Sequence, residues 1–503
     1  MHIGIVGAGA AGVAVLDALA AAEAAPGAIT VFDGSPDVWR GRPYQPDIDA
    51  VRVNAPPRVM SLRAGDPTHY QRWLDGRDDI AAYTDEALGQ TLVPRGYYGR
   101  YLEDTAQAAI DRLRTAGWTV SVVRERVTGF SRGAADTVAA DVDGSQRPAA
   151  RHATLHTEGG GRVAVDRAVL CVGNGRPRDH YGLSGVPGYV NEPYPLARTL
   201  PEIAPDAHVA VIGSGLTAVD IAAGLAGRGH TGPISFVSRS GALPFVQQRP
   251  MDLALRHLTR EAVVEVARER GAVSFEDLVG LMRDELADLG AEFEPFAAEI
   301  LSAESEPPVE RLRRQLAAVD SPHPGLRLLT MAIRVVGPVA WPLLAEADRA
   351  RLRGGHFRTI NGLSSPMVPH NAKIVLRLLD SGQLRLRPGV LKIEPRAVGG
   401  FTVFDSAEWT ADAVVNAVNP PAYTTPRESE PLVSALLRAR AAELHPAGGL
   451  STDPLTRRLL VDDNPDPTWH VLGNLAADSM FIATNPPGLA AEAAHLTRIL
   501  LGG

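Results

Sequence analysis

The sequence predicts an α/β protein built on two doubly wound parallel sheets, with a mostly helical insertion. Three observations carry this. A glycine-rich strand–turn–helix unit opens the chain. A second copy begins 206 residues further on, counted from Gly7 to Gly213. Between Met251 and about Arg358 the pattern changes to long amphipathic helices.

The first unit spans Met1 to Asp33. His2–Val6 is a short apolar run that reads as a buried parallel strand, and it breaks at Gly7-Ala8-Gly9-Ala10-Ala11-Gly12. A helical stretch follows from Val13 to Ala25, and Ala28–Phe32 is a second strand delivering Asp33. Strand, G-x-G-x-x-G, helix, strand and acid in this order predict a dinucleotide site. Gly7 makes the tight turn, Gly9 lets backbone approach a pyrophosphate, and Gly12 lets the helix pack on the strand. Ala10, Ala11 and Gly12 complete the turn ahead of the helix N-terminus, whose free N–H groups and positive dipole end favour phosphate. Asp33 is placed to hold a ribose hydroxyl pair. Asp17 and Glu23 interrupt the apolar run and no basic segment precedes it, which argues against a signal peptide or a membrane span.

The 503 residues can bury two or three cores, and the net charge of −8 gives no reason to expect nucleic acid or an anionic membrane as partner. A single cysteine, Cys171, excludes an internal disulfide and the dithiol pair of a disulfide reductase. No long uncharged apolar stretch occurs, so a cytoplasmic protein is expected. Arg132 to Arg151, rich in Ala, Asp and Gly, reads as a β-hairpin with a variable tip.

In the second unit Val209–Ile212 is the strand and Gly213-Ser214-Gly215-Leu216-Thr217-Ala218 the turn, with Pro233–Val237 as the next strand. Ala218 stands where the third glycine would be, and Ser238-Arg239 replace the strand-end acid. An arginine there can pair with a 2′-phosphate that an acid would repel, so this site reads as NADPH rather than NADH. The alternative for Arg239 is a solvated surface arginine. The other site is then most economically FAD. Ala168–Asn174 and Ala413–Pro420 are two further strand–turns, expected at the crossings between the two domains.

The likeness extends beyond the glycines. Gly41-Arg42-Pro43-Tyr44, Val53-Asn54-Ala55-Pro56-Pro57-Arg58-Val59-Met60-Ser61, Tyr70–Leu74 and Val93–Leu102 resemble signatures of a bacterial FAD/NAD(P)-binding protein family related to class B and N-hydroxylating flavin monooxygenases. The resemblance covers residues 1 to about 245 well and 372 to 503 more loosely. It implies that Asn54, Pro56 and Met60 lie near the flavin ring and that backbone at Val127 meets the adenine. Trp73 and Tyr101 read more simply as core, and Arg95 and Arg100 as capping or surface groups.

Near the C-terminus, Trp469–Asn474 runs as a strand into a turn, and Thr484-Asn485-Pro486-Pro487-Gly488 opens the last helix. Thr484 or Asn485 can cap it, and proline is tolerated in the first turn. In this architecture the helix N-terminus faces the N1–C2=O edge of the flavin, which places Gly473, Asn474, Pro486 and Gly488 at the FAD. Relatives often have Gly-Asp where this chain has Gly473-Asn474.

The expected organisation is an FAD-binding domain from 1–200 and 406–503, an NADPH-binding domain from 201–250 and 371–405, and a helical insertion over 251–370. In the insertion, Ser274 and Asp277 form a capping-box pattern ahead of Leu278, Leu281, Met282 and Leu286. The insertion either covers the active site or forms a dimer contact. The basic, histidine-bearing segment of relatives is replaced by Asn361–Asn371.

The resemblance implies hydride transfer from NADPH to FAD, oxygen addition at flavin C4a, and oxygen transfer to a soft nucleophile. Such chemistry needs neither an acid–base dyad nor a metal, and the sequence shows no pattern for either. His323 and His370 read as structural. The expectation is an NADPH-dependent FAD monooxygenase taking molecular oxygen and a small polar substrate, with the amine of an amino acid such as aspartate as the expected group. Arg42, Arg58 and Arg249 are candidates to hold a substrate carboxylate, and Gln247, Gln248 and Arg249 lie where nicotinamide and substrate are expected. A flavin reductase or oxidase, a carbon or sulfur oxygenase, and a non-catalytic dinucleotide sensor are the alternatives.

Overall fold

The computed structural model describes residues 1–132, 152–175, 177–302, 305–420, 423–479 and 485–502. Its first sheet has six strands in the order Arg458–Val461, Asn464–Val471, Arg167–Leu170, His2–Val6, Ala28–Phe32, Thr119–Val123. All neighbours are parallel except the first pair, which is an antiparallel edge hairpin. His2–Val6 sits inside this sheet, and Ile3 and Ile5 are fully buried. That burial from both faces is why the run reads as continuously apolar rather than alternating.

The second sheet is wholly parallel, in the order Tyr189–Val190, Ala413–Asn416, Val209–Ile212, Ile234–Ser238, Leu384–Pro388. Here the chain departs from the expected boundaries. Ala413–Asn416 pairs directly with Val209–Ile212, although it lies past the division at 405, and Tyr189–Val190 joins this sheet from within the segment 1–200. Both are short strands whose sheet cannot be read from local pattern.

Each sheet carries a three-stranded antiparallel meander: Val127–Arg132, Ala153–Thr157 and Arg162–Val165 on the first, and Lys392–Pro395, Phe401–Phe404 and Glu408–Ala411 on the second. The strands that flank the hairpin expected at 132–151 pair with each other. The expected hairpin itself, from 133 to 151, lies outside the described residues, as does Thr484.

The first glycine helix, Ala10–Ala21, packs between the last helix, Pro486–Leu500, and the long helix Arg95–Thr115. Its buried Asp17 takes ion pairs from Arg63 and Arg112, at 2.9 and 2.5 Å.

The insertion leaves and rejoins the second domain at one place. Val246 and Met367 form a bridge, with Gln247 N donating to Met367 O at 2.9 Å and Met367 N to Phe245 O at 2.6 Å. Between them, helices such as Arg260–Arg270, Phe275–Asp288 and Gly325–Val335 enclose a separate core around Val263, Leu286, Leu328 and Trp341. Ser274 and Asp277 form the reciprocal capping box. The buried Glu285 carboxylate accepts from three consecutive N–H groups, Arg256, His257 and Leu258, at 2.5–2.9 Å. No single helix among the described residues is long and apolar enough to cross a membrane.

Candidate dinucleotide sites and a cleft beside the first

The two glycine loops share one geometry. Gly7 and Gly213 have φ +102° and +107°, a region that L side chains rarely adopt. Gly9 and Gly215 then take extended conformations, φ/ψ −72°/−165° and −83°/−167°, each preceding a twelve-residue helix. The first helical bonds are Val13 N to Gly9 O and Val219 N to Gly215 O. The N–H groups of Ala10, Ala11 and Gly12, and of Leu216, Thr217 and Ala218, therefore have no acceptor within their helices and suit a pyrophosphate.

Gly12 is needed for packing. A Cβ there would stand 2.1 Å from the Gly7 carbonyl oxygen. At Gly215 a Cβ would meet nothing within 4 Å, so the backbone lies open. Gly41 approaches Gly9, and Gly473 faces Ala11, which brings two distant segments onto the first loop.

Asp33 accepts from Ala8 N and Ser35 N through different oxygens, both at 2.7 Å, and these bonds fix the carboxylate at the strand end. Gly34 abuts Arg126, so the start of the Val127 strand lies beside this acid. At the equivalent place in the second unit, Arg239 is exposed and makes no ion pair among the described residues. Ser238 Oγ accepts from Gly241 N at 2.9 Å and thereby shapes the turn beneath it.

Residues 53–60 are held by Val53 N to Val93 O (3.0 Å) and by Tyr98 Oη to Met60 O (2.9 Å). Pro56 and Met60 are buried there and Asn54 is half-buried. Tyr98 and Tyr101 belong to a buried aromatic cluster with Tyr70, and the partly buried Trp73 packs on it. Asn474, expected at the FAD, is tied to the segment at 423–424. Its Oδ1 accepts from Tyr423 N and its Nδ2 donates to Thr424 O, both at 3.2 Å. The last helix begins at Pro486 with Asn485 as N-cap, without a side-chain cap bond, and includes Gly488.

Two of the three arginines expected to await a substrate carboxylate are occupied. Arg42 pairs with Glu192 at 3.0 Å and donates to Gly175 O at 2.5 Å. Arg249 pairs with Asp320 at 2.5 Å. Only Arg58 is exposed with no acidic partner among the described residues. Gln247 Oε1 and Gln248 Oε1 are buried acceptors with no donor among the described residues. His323 accepts from Gly325 N, and burial lowers the basicity of His370. Burial likewise pushes the Cys171 thiol up.

Sequence reasoning missed a cleft of about 300 Å³ where three parts of the chain converge. Residues 58–67 of the first domain, Arg334 and Val335 of the insertion, and the start of the last helix all line it. Its signal, arginines 276 positions apart (58 to 334), has no local periodicity.

Residues 4–175 match the family model described as FAD-NAD(P)-binding. A search of curated proteins gives no match. Among solved structures, the L-lysine 6-monooxygenase from Pseudomonas syringae aligns over 99% of this chain and 98% of its own, at 15% identity and a TM-score of 0.57. The cadaverine monooxygenase of the desferrioxamine pathway from Erwinia amylovora covers 100% and 94%, at 12% identity and 0.55. The ornithine hydroxylase from Pseudomonas aeruginosa covers 99% and 98%, at 15% identity and 0.52. The class that fold and site define is therefore a two-dinucleotide α/β protein. Over its whole length the chain has the fold of these monooxygenases.

Proposed function

We propose that the protein is an NADPH-dependent FAD monooxygenase acting on the nitrogen of a small polar amine. The observation that carries this is the pairing of two glycine loops of one geometry with opposite charges at the same strand end, Asp33 in the first and Arg239 in the second. Asp33 suits an unphosphorylated ribose and Arg239 a 2′-phosphate, so the first site is assigned to FAD and the second to NADPH. The fold shared with lysine, ornithine and cadaverine monooxygenases supports an amine as substrate.

Bound FAD would supply the redox and oxygen chemistry. The chain's contribution is binding, orientation and exclusion of water. The free N–H groups of Ala10–Gly12 hold the flavin pyrophosphate, and Gly41, residues 53–60 and Gly473 wall the ring side. The positive end of the helix Pro486–Leu500 favours negative charge at the flavin edge. Leu216–Ala218 and Arg239 hold NADPH, and the donorless oxygens of Gln247 and Gln248 offer acceptors to a carboxamide. The insertion closes the cleft over this junction.

The test is anaerobic reduction of the FAD-loaded protein by NADPH, followed by oxygen with and without amines. Bleaching of the flavin, and one N-oxygenated product per NADPH consumed, is the expected outcome. Peroxide in place of product with every amine would make the protein an oxidase or reductase. Absence of bleaching would leave a dinucleotide sensor.

A further inference from the structure

The titratable side chains lining the 300 Å³ cleft are Arg58, Arg63 and Arg334, with no acidic residue among its lining. Arg58 is exposed with no acidic partner among the described residues. Arg63 shares the single carboxylate of Asp17 with Arg112, which leaves one positive charge of that trio uncompensated.

Arg334 is the most informative. It extends from the helix Gly325–Val335 of the insertion, and its Nη2 and Nε donate to the Ser364 carbonyl at 2.8 and 3.3 Å. No carboxylate reaches it among the described residues, and burial pushes its guanidinium down to about 10. A half-buried cation without a counter-charge costs stability that an anion would recover. Asn485, the N-cap of the last helix, also lines the cleft, so that helix's positive end adds to the same field.

We propose that this cleft is the anion subsite of the substrate, in which Arg58 and Arg334 grip a carboxylate from opposite sides, so that the substrate is a carboxylate-bearing amine rather than a simple diamine. The inference rests on the monooxygenase reading for what the ligand is. The cleft itself is tested without turnover. Residues 58–61 continue directly from Pro56, on the ring-side wall assigned above, so a carboxylate held here leaves the rest of a small molecule next to the flavin. Arg334 comes from the insertion, so ligand binding would also fasten the insertion to the first domain. Planar guanidinium groups favour carboxylates through paired N–H donors.

The experiment is calorimetric titration of the full-length protein with succinate, its uncharged diamide and inorganic phosphate. Succinate should bind and the diamide should not. The dissociation constant should rise roughly 10- to 100-fold in Arg58→Ala and in Arg334→Met, the loss of one charged hydrogen-bonded contact. Arg58 is exposed, so its variant reports even if Arg334→Met fails to fold. No succinate binding, unchanged affinity in Arg58→Ala, or phosphate binding tighter than succinate would overturn the proposal. Because NADPH oxidation plays no part in the titration, a protein that binds succinate but never consumes NADPH would sink the monooxygenase reading alone. One that oxygenates amines but ignores succinate would sink only this one.

Discussion

Arg95 Nη2 lies 2.7 Å from Oδ2 of Asp220, whose side chain is fully buried while that of Arg95 keeps 12% of its surface exposed. Tyr194 Oη donates to the same oxygen at 2.5 Å. Arg95 opens the long helix of the first domain, whereas Asp220 sits in the second turn of the second glycine helix. One buried ion pair thus fixes one dinucleotide unit against the other. Burial pushes the Asp220 carboxyl up and Arg95 pulls against it. Burial also opposes the charge on Arg95, but Asp220 and Tyr194 more than offset it.

Removing one partner should be costly. Asp220→Ala leaves a guanidinium buried without its anion and should lower unfolding free energy by about 3–5 kcal/mol. Replacing both, as Arg95→Met with Asp220→Leu, should recover most of that loss. Urea unfolding followed by circular dichroism measures both, and a single variant as stable as the wild type would show that the pair does not tie the domains.

Gly12→Ala should strip the flavin. The added Cβ meets a backbone carbonyl at 2.1 Å rather than the end of a flexible side chain, so the helix must move off the loop proposed to hold the pyrophosphate. The expected result is a purified protein with little flavin absorbance that does not regain it with added FAD. Ala218→Gly is the control, since the second loop already accommodates a methyl group at the matching position. It should keep its flavin.

How much of this was legible in the sequence follows from the range of each interaction. The glycine loops, the Ser274–Asp277 cap and the strand-end positions of Asp33 and Arg239 are set by neighbours within one supersecondary unit, and these local features were readable. Arg42, Arg95 and Arg249 were not. Their partners Glu192, Asp220 and Asp320 lie 150, 125 and 71 positions away, and no periodicity announces such pairs. Asn474 bonds to residues 423 and 424 for the same reason. Ala413–Asn416 looked like a strand and is one. Its sheet, however, depends on which parallel neighbour it meets, which a four-residue apolar run does not encode.

Arg239→Glu should separate the two nicotinamide cofactors. Arg239 is exposed and without an acidic partner among the described residues, so reversal breaks no internal contact. A 2′-phosphate would lose an attractive charge and gain a repulsive one, and NADPH affinity should fall roughly 10- to 100-fold. NADH, with a free 2′-hydroxyl, should change little. Titrations of both cofactors followed by fluorescence decide it, and equal losses would remove Arg239 from the phosphate site.

His470 should make the protein acid-sensitive. It lies in the strand Asn464–Val471 of the first sheet, and neither ring nitrogen has a partner among the described residues. Burial, reinforced by Arg458 and Arg167, lowers its pKa from the usual 6.5 to about 3. The folded protein therefore keeps the ring neutral while the unfolded chain takes up a proton below pH 6.5. Because the folded pKa is depressed, this contribution is fully present above the unfolded value and is lost as pH falls toward the folded one. The slope is about 1.4 kcal/mol per pH unit for the one proton. Lowered histidines elsewhere, among them His69, His208 and His230, act in the same direction, so the informative quantity is a difference. Between pH 7 and 5, urea unfolding of His470→Leu should lose about 2 kcal/mol less than the wild type. Parallel pH profiles would mean that the ring is protonated in the fold, with Arg167 and Arg458 turned away from it.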